Sequence, residues 1–319
     1  MAVYTHVDEE ALSAFLRNYD LGNILTFKGI AEGVENSNYL LQTDGGTFIL
    51  TLYEKRVDEA DLPFFLNLMS HLAEKGIPCP TPIEGLDGRA LRTLCGRQAA
   101  LISFLKGLSV DRPNAGHCAE LGSGMAEMHL AVSDFDGTRA NALDLAGWRQ
   151  LANACAAHAD AVQPGLMQMI EEELSYLAGC WPADLPRGVI HADLFPDNVF
   201  FIGEKLTGLI DFYFACTEAL AYDLAIAMNA WCFEPDGAFN ATKARRLMNA
   251  YTAHRPLEPR EIETLSILAR GAALRFLLTR LYDWVNQVEG ALVKPKDPSE
   301  YIKKLRFHQR VKGPGEYGL

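Results

Sequence analysis

With 319 residues the chain is long enough for two lobes around a cleft, and 49% hydrophobic with 22% charged residues is an ordinary globular composition. Its formal net charge of −12 argues against a nucleic-acid partner, since a phosphate backbone is held mainly by clustered Lys and Arg. Seven cysteines without a Cys-x-x-Cys pair read as reduced thiols, and neither a leader-like start nor an apolar run near ~18 residues occurs; the expectation is a soluble cytoplasmic protein with no membrane partner.

Residues 8–19 place Leu12, Phe15 and Leu16 at helical spacing behind acidic first-turn residues and predict an amphipathic helix. Residues 24–29, 37–42 and 47–53 predict three strands. A loop bearing Gly29 and Gly33 separates the first two, and Asp44-Gly45-Gly46 is a hairpin signal between the last two. Residues 58–75 predict a helix with Leu62, Phe65, Leu66, Met69 and Leu72 on one face and Gly76 as terminator. The proline-rich run to Pro82 is extended. Residues 83–84 and 90–94 then flank Asp87-Gly88 as a further hairpin, and a strand over 98–105 breaks at Lys106-Gly107.

From 115 the pattern turns helical. Cys118, Leu121, Met125 and Met128 mark one helix, and 146–159 and 170–177 two more. His129 reads as a core or supporting histidine, because no second His or carboxylate pair surrounds it at metal-ligand spacing.

The stretch 188–212 carries the chemistry. Apolar runs 199–202 and 206–210 flank Gly203-Glu204-Lys205 as a β-hairpin, with Asp193 in the entering loop, Asn198 at the start of the first strand and Asp211 at the end of the second. Mg²⁺ takes oxygen ligands, so Asp211 and Asn198 suit a metal while Asp193 orients a hydroxyl and accepts its proton. The order His191-x-Asp193-x-x-x-x-Asn198 followed by Asp211-Phe212 matches the catalytic loop and metal-binding turn of protein kinases, with Tyr213 where Gly usually follows. Asp223, at the start of a helix, either bonds the catalytic-loop backbone or is an ordinary helix-terminal acid. Residues 243–251 and 261–288 are helical, the second bearing Arg270, Arg275 and Arg280. Asp297-Pro298 opens a last helix, and the basic run 294–312 reads as its solvated face.

These pieces, together with Gly29-Ile-Ala-Glu-Gly-Val-Glu-Asn-Ser-Asn-Tyr39, Phe48-Ile-Leu-Thr-Leu-Tyr-Glu54, Leu62-Pro-Phe-Phe65 and Gly76-Ile-Pro-Cys-Pro80, resemble the homoserine kinases of the aminoglycoside phosphotransferase and choline kinase superfamily over nearly the whole chain. The resemblance implies an α+β, protein-kinase-like bilobal fold: an antiparallel-sheet nucleotide lobe (1–105), a hinge (106–112) and a helical lobe (113–319). It implies ATP and Mg²⁺ as cofactors, L-homoserine as acceptor, and a monomer or homodimer. Asp193 would be the base, with His191 holding the catalytic loop, and Asn198 and Asp211 the metal ligands. Gly29, Gly33, Ser103 and Leu105 would meet the nucleotide through backbone. Thr51 stands where related kinases place a phosphate-pairing lysine, so Lys55 or Lys28 replaces it, or the charge is left to Mg²⁺ and backbone donors. For the acceptor carboxylate, Arg270, Arg275 and Arg280 are candidates, Arg275 foremost as the most apolar-flanked and a salt-bridge role being the alternative for each, and Glu32, Glu35 and Asn38 are candidates for the ammonium. The alternatives are another small hydroxylated acceptor (aminoglycoside, choline, methylthioribose), a silent kinase-like binding module, and, more remotely, a metal-dependent hydrolase.

Overall fold

The computed structural model describes residues 4–30, 36–54, 58–286 and 295–319. They form two compact units, each assembled from non-contiguous segments: Met1–Gly107, Phe135–Gly137 and Thr207–Tyr213 in one, Leu108–Asp134, Thr138–Leu206 and Phe214–Leu319 in the other.

In the first unit Asp8 accepts from the Ala11 amide and so starts α1 (Glu9–Leu16). Then come β1 (Ile24–Gly29), β2 (Ser37–Thr43), β3 (Gly46–Leu52), α2 (Leu62–Glu74), β4 (Leu91–Leu94) and β5 (Arg97–Ser103). The five strands run in the order β1-β2-β3-β5-β4, every pairing antiparallel. Period-two alternation sends Tyr39, Leu41, Phe48, Leu50 and Leu52 to one face, where they pack with Leu12 and Phe15 of α1. Asn38, Thr51 and Ala100 lie on the other face in one register row.

One hairpin differs from expectation. Ile83 donates to the Leu101 carbonyl at 2.8 Å, and β4 pairs with β5, not with residues 83–84. The turn that makes this pairing is Cys95-Gly96, both at positive φ (50° and 75°), which is the two-residue geometry matched to strand twist. Asp87-Gly88 closes only a local turn, Gly88 donating to Gly85.

The second unit contains α3 (Ala115–Ala131), α4 (Leu145–Cys155), α5 (Ala159–Val162), α6 (Leu166–Cys180), β6 (Arg187–Ile190) and β7 (Val199–Ile202). β8 (Lys205–Leu209) begins in it and ends in the first unit, and β9 (Cys216–Ala219), α7 (Leu220–Trp231), α8 (Ala241–His254), α9 (Pro259–Val285) and α10 (Ser299–His308) complete it. The single helix expected over 146–159 is two, because α4 stops at Cys155. The pair β6–β9, joined from Arg187↔Ala219 to Ile190↔Cys216, has no counterpart in the sequence reading: four residues are too few to show a period. α3 lies close against α8, and a Cβ on Gly122 would stand 2.2 Å from the Leu247 carbonyl oxygen, so the approach requires glycine. α7 is almost wholly buried, which places Asp223 in the interior of this unit.

Candidate active site

β6 and β9 deliver the chain to His191 inside the second unit. There the backbone turns through Ala192 at φ +63°, a left-handed conformation that costs an L-residue roughly 1–2 kcal/mol. The surroundings hold it there. The amides of His191 and Ala192 donate to the two carboxylate oxygens of Asp223, both at 2.9 Å. On the opposite side of the same turn, Arg275 Nη1 donates to the Ala192 carbonyl at 2.6 Å. Asp223 also faces His129 Nε2 at 3.1 Å, and His129 Nδ1 meets the Tyr251 hydroxyl at 2.8 Å. Burial by itself would raise the Asp223 carboxyl, but the hydrogen bond from His129, the His129 and His191 charges and the amide donors outweigh it and hold the group below the usual range. Of the two roles open for Asp223, the structure shows the backbone-holding one. His129 is its support, as the sequence indicated.

The rest of the loop is bonded residue by residue. The Asp193 amide donates to His191 Nδ1 at 3.3 Å, the Phe195 amide to the Asp193 carbonyl at 2.8 Å, and Trp231 Nε1 to the Leu194 carbonyl at 2.7 Å. Asn198 Nδ2 donates to both the Asp193 carbonyl (2.8 Å) and Asp193 Oδ2 (3.0 Å). With its nitrogen so committed, Asn198 presents its amide oxygen elsewhere, the orientation a hard-cation ligand needs. Asp193 is half-buried and ends up with a fixed side chain on a fixed backbone. The structure thus brings His191, Asp193, Asn198 and Arg275 into one bonded cluster.

Asp211, Thr51, Asn38, Ser103, Leu105 and Gly29 belong to the first unit. Asp211 follows β8 at φ +66°, left-handed like Ala192 although neither is glycine. Strain of this kind gathers at functional positions, where the surrounding fold over-determines it. Two residues on, the Tyr213 hydroxyl lies 3.3 Å from that of Tyr53, and its side chain is also hydrogen-bonded to Thr51. Thr51, 2% exposed, donates to Asn38 Oδ1 at 2.9 Å. Burial raises Tyr53 to about 12 and, with the Tyr53 and Asp211 charges, lifts Tyr213 well above the ordinary phenol range. The position of the usual lysine is therefore filled by neutral, mutually bonded groups. Ser103 accepts from the Thr81 amide at 2.9 Å at the end of β5, leaving Phe104 and Leu105 as irregular chain. Lys28, exposed on β1, pairs with Leu40 and so shares the sheet face of Asn38 and Thr51. Glu32, Gly33, Glu35 and Lys55 lie outside the described residues.

No group of three or more His, Cys, Asp or Glu suited to a metal occurs among the described residues. No helix of the described residues is long and apolar enough to cross a membrane.

The APH phosphotransferase enzyme family model matches residues 26–257, which include every part of the site from Lys28 to Asp223. The chain belongs to this family. It is a kinase, and the silent-module reading falls away. It is 61% identical over 319 residues to a homoserine kinase of Parvibaculum lavamentivorans, covering 100% of this chain and 99% of that one. To a homoserine kinase of Rhodopseudomonas palustris it is 62% identical over 320 residues, covering 100% and 98%. Solved structures agree in fold at low identity. An amicoumacin kinase in complex with AMP-PNP and Ca²⁺ superposes with a TM-score of 0.69 at 12% identity, covering 96% of this chain and 95% of that one. A microcompartment-associated aminopropanol kinase gives 0.66 at 16%, covering 95% and 97%. The antiparallel sheet followed by a helical C-terminal part is the arrangement these protein-kinase-like phosphotransferases share.

The arginines of α9 in this phosphotransferase are already engaged. Arg270 forms a fork of two 2.6 Å bonds with Glu173, and Arg280 bonds Glu300 at 2.6 Å, so both are ion-pair residues of the helical unit. The sequence reading missed the Tyr53–Tyr213 and Thr51–Asn38 bonds. Asn38 and Thr51 meet through the β2–β3 register, and Tyr213 meets Tyr53 from 160 residues away, which no local pattern shows.

Proposed function

We infer that the chain transfers the γ-phosphoryl group of ATP to the hydroxyl of L-homoserine, forming O-phospho-L-homoserine, a step of threonine biosynthesis carried out in the cytoplasm. The observation that carries this is the 61–62% identity, over the full length of both chains, to curated homoserine kinases. The loop supplies the chemistry. Asp193 accepts the hydroxyl proton as oxygen attacks phosphorus, and Asn198 holds the Asp193 carboxylate in place through the 3.0 Å bond. Asn198 and Asp211 are the residues that would hold Mg²⁺, which when bound neutralises charge on the phosphate oxygens. His191 contributes through Nδ1, which accepts from the Asp193 amide. With the neutral Thr51, bonded to Asn38, where a lysine would stand, phosphate charge would fall to the metal and to backbone donors near Gly29, with Lys28 a described cation on that sheet face. The acceptor's ammonium and carboxylate would distinguish homoserine from the aminoglycoside or choline acceptors of related enzymes.

The test is a steady-state assay of ADP release with Mg²⁺-ATP against homoserine, its amide, its methyl ester, choline and an aminoglycoside. Homoserine should exceed each of the others by about 100-fold or more in kcat/KM, the discrimination of a site whose buried polar groups lose a partner. Equal use of the ester and amide would remove the physical basis for a carboxylate-reading site.

A further inference from the structure

We propose that Arg275 is a positioning residue for the base Asp193, fixing the Ala192 peptide from below, and does not read the acceptor carboxylate. The proposal deepens the kinase reading and rests on it. Arg275 is 2% exposed, and its Nη1 is spent on the Ala192 carbonyl at 2.6 Å. Its Cζ stands 4.6 Å from the Phe276 ring centroid and 5.6 Å from that of Phe214, so two aromatic faces take up part of the cation. Among the described residues Nε is buried with no partner at hydrogen-bond geometry, and the Tyr222 hydroxyl lies beside the guanidinium. A guanidinium that reads a carboxylate offers it an accessible pair of parallel donors; here the fork is sealed and one donor is already used.

The position of that contact explains why an arginine is kept. Ala192 sits at φ +63°, between His191 and Asp193. Asp223 binds the amide side of this turn with a buried anion, and Arg275 binds the carbonyl side with a buried cation. Two opposite charges thus act on one strained dipeptide from its two sides. Removing the anion frees the amides, and removing the cation frees the carbonyl. Either change lets Ala192 relax toward negative φ, which swings the next residue, Asp193. A displacement of about 1 Å at a base costs on the order of 10²-fold in turnover without touching substrate affinity.

The experiment compares Arg275→Met and Arg275→Lys in the full chain. Methionine matches the apolar stem and cannot donate, whereas lysine keeps a charged donor able to reach the Ala192 carbonyl. Expected are a fall in kcat of about 30- to 100-fold for Arg275→Met, restored to within about 10-fold by Arg275→Lys, with KM for homoserine within about 3-fold of wild type in both. Homoserine affinity weakened by about 10-fold or more at retained kcat, or a lysine variant no better than methionine, overturns the proposal. Should Arg275→Met not fold, Arg275→Lys carries the test alone: a modest kcat loss at unchanged KM supports it, and a KM effect sinks it. Hydrogen exchange of the His191 and Ala192 amides, measured without substrate, should accelerate by about 10-fold or more in Arg275→Met and little in Arg275→Lys. Unchanged exchange in both refutes the clamp. Because exchange needs no acceptor, a wild type that fails to phosphorylate homoserine would overturn the functional reading while leaving the clamp result intact.

Discussion

The loop at Asp193 and the turn at Asp211 both hold a non-glycine residue in the left-handed region, yet the bonded groups near each differ in chemistry. Ala192 is held by buried charges, Asp223 on its amides and Arg275 on its carbonyl. Two residues beyond Asp211, neutral hydroxyls and an amide are bonded to one another: Tyr213, Tyr53, Thr51 and Asn38. Charge-assisted bonds are about twice as strong as neutral ones, and breaking them strands a buried ion. The difference fits the proposed roles: a base such as Asp193 would have to be placed to a fraction of an ångström, whereas a metal-binding carboxylate such as Asp211 would adapt to the cation it meets.

Four substitutions sharpen or break this contrast. The largest effect is expected at the base. Asp193→Asn keeps the shape and an oxygen that Asn198 Nδ2 can still reach, but cannot take a proton. Turnover should fall by ~10²-fold or more with ATP affinity within about 3-fold in calorimetric titration. Loss of ATP binding of similar size would show that Asp193 serves the nucleotide.

Next is Asp223→Asn, which removes the anion and leaves one amide without an acceptor. Destabilisation of about 3 kcal/mol is expected from urea midpoints near neutral pH. The sign of the pH dependence follows from the depressed carboxyl of Asp223. A group with a lowered folded value adds stability that is fully present above its unfolded value of about 4, and that stability is lost as pH falls through the lower folded value. The wild type should therefore lose its advantage over Asp223→Asn as the pH is lowered below about 4. A difference that stays constant down to about pH 2 would mean the carboxylate charge is not what holds the loop.

Thr51→Lys tests the neutral region directly. The amine would enter a 2% exposed position whose neighbours are already bonded, so stability should drop by about 1–3 kcal/mol and the apparent ATP constant should not improve. A clear tightening of ATP would show that the phosphates lack a cation. The smallest change is expected for Tyr53→Phe, which deletes one long 3.3 Å hydroxyl contact. About 1 kcal/mol or less should be lost, with turnover unchanged within about 2-fold. An effect as large as that of Asp223→Asn would erase the distinction between the two supports.

Much of this was legible in residue order. His191, Asp193, Asn198 and Asp211 stand out as an ordered set in a loop and a hairpin, and the apolar runs of β2 and β3 with Asp44-Gly45-Gly46 between them read as paired strands. Those signals are local, because a hairpin and an amphipathic face are determined by neighbours a few residues apart. What Arg275 and Asp223 hold was not legible. They lie 83 and 31 residues from Ala192, and a buried arginine between phenylalanines looks the same in sequence whether it faces a substrate or a carbonyl. The strand β6 and the filling of the Thr51 position were likewise settled by pairings between segments far apart in the chain, whereas β4 pairs with its immediate neighbour β5 across Cys95-Gly96. Residue order alone named the candidate atoms for the chemistry. Tertiary packing decided which of them are fixed and by what, since a hydrogen bond across distant segments depends on where burial brings them, and no local pattern encodes that distance.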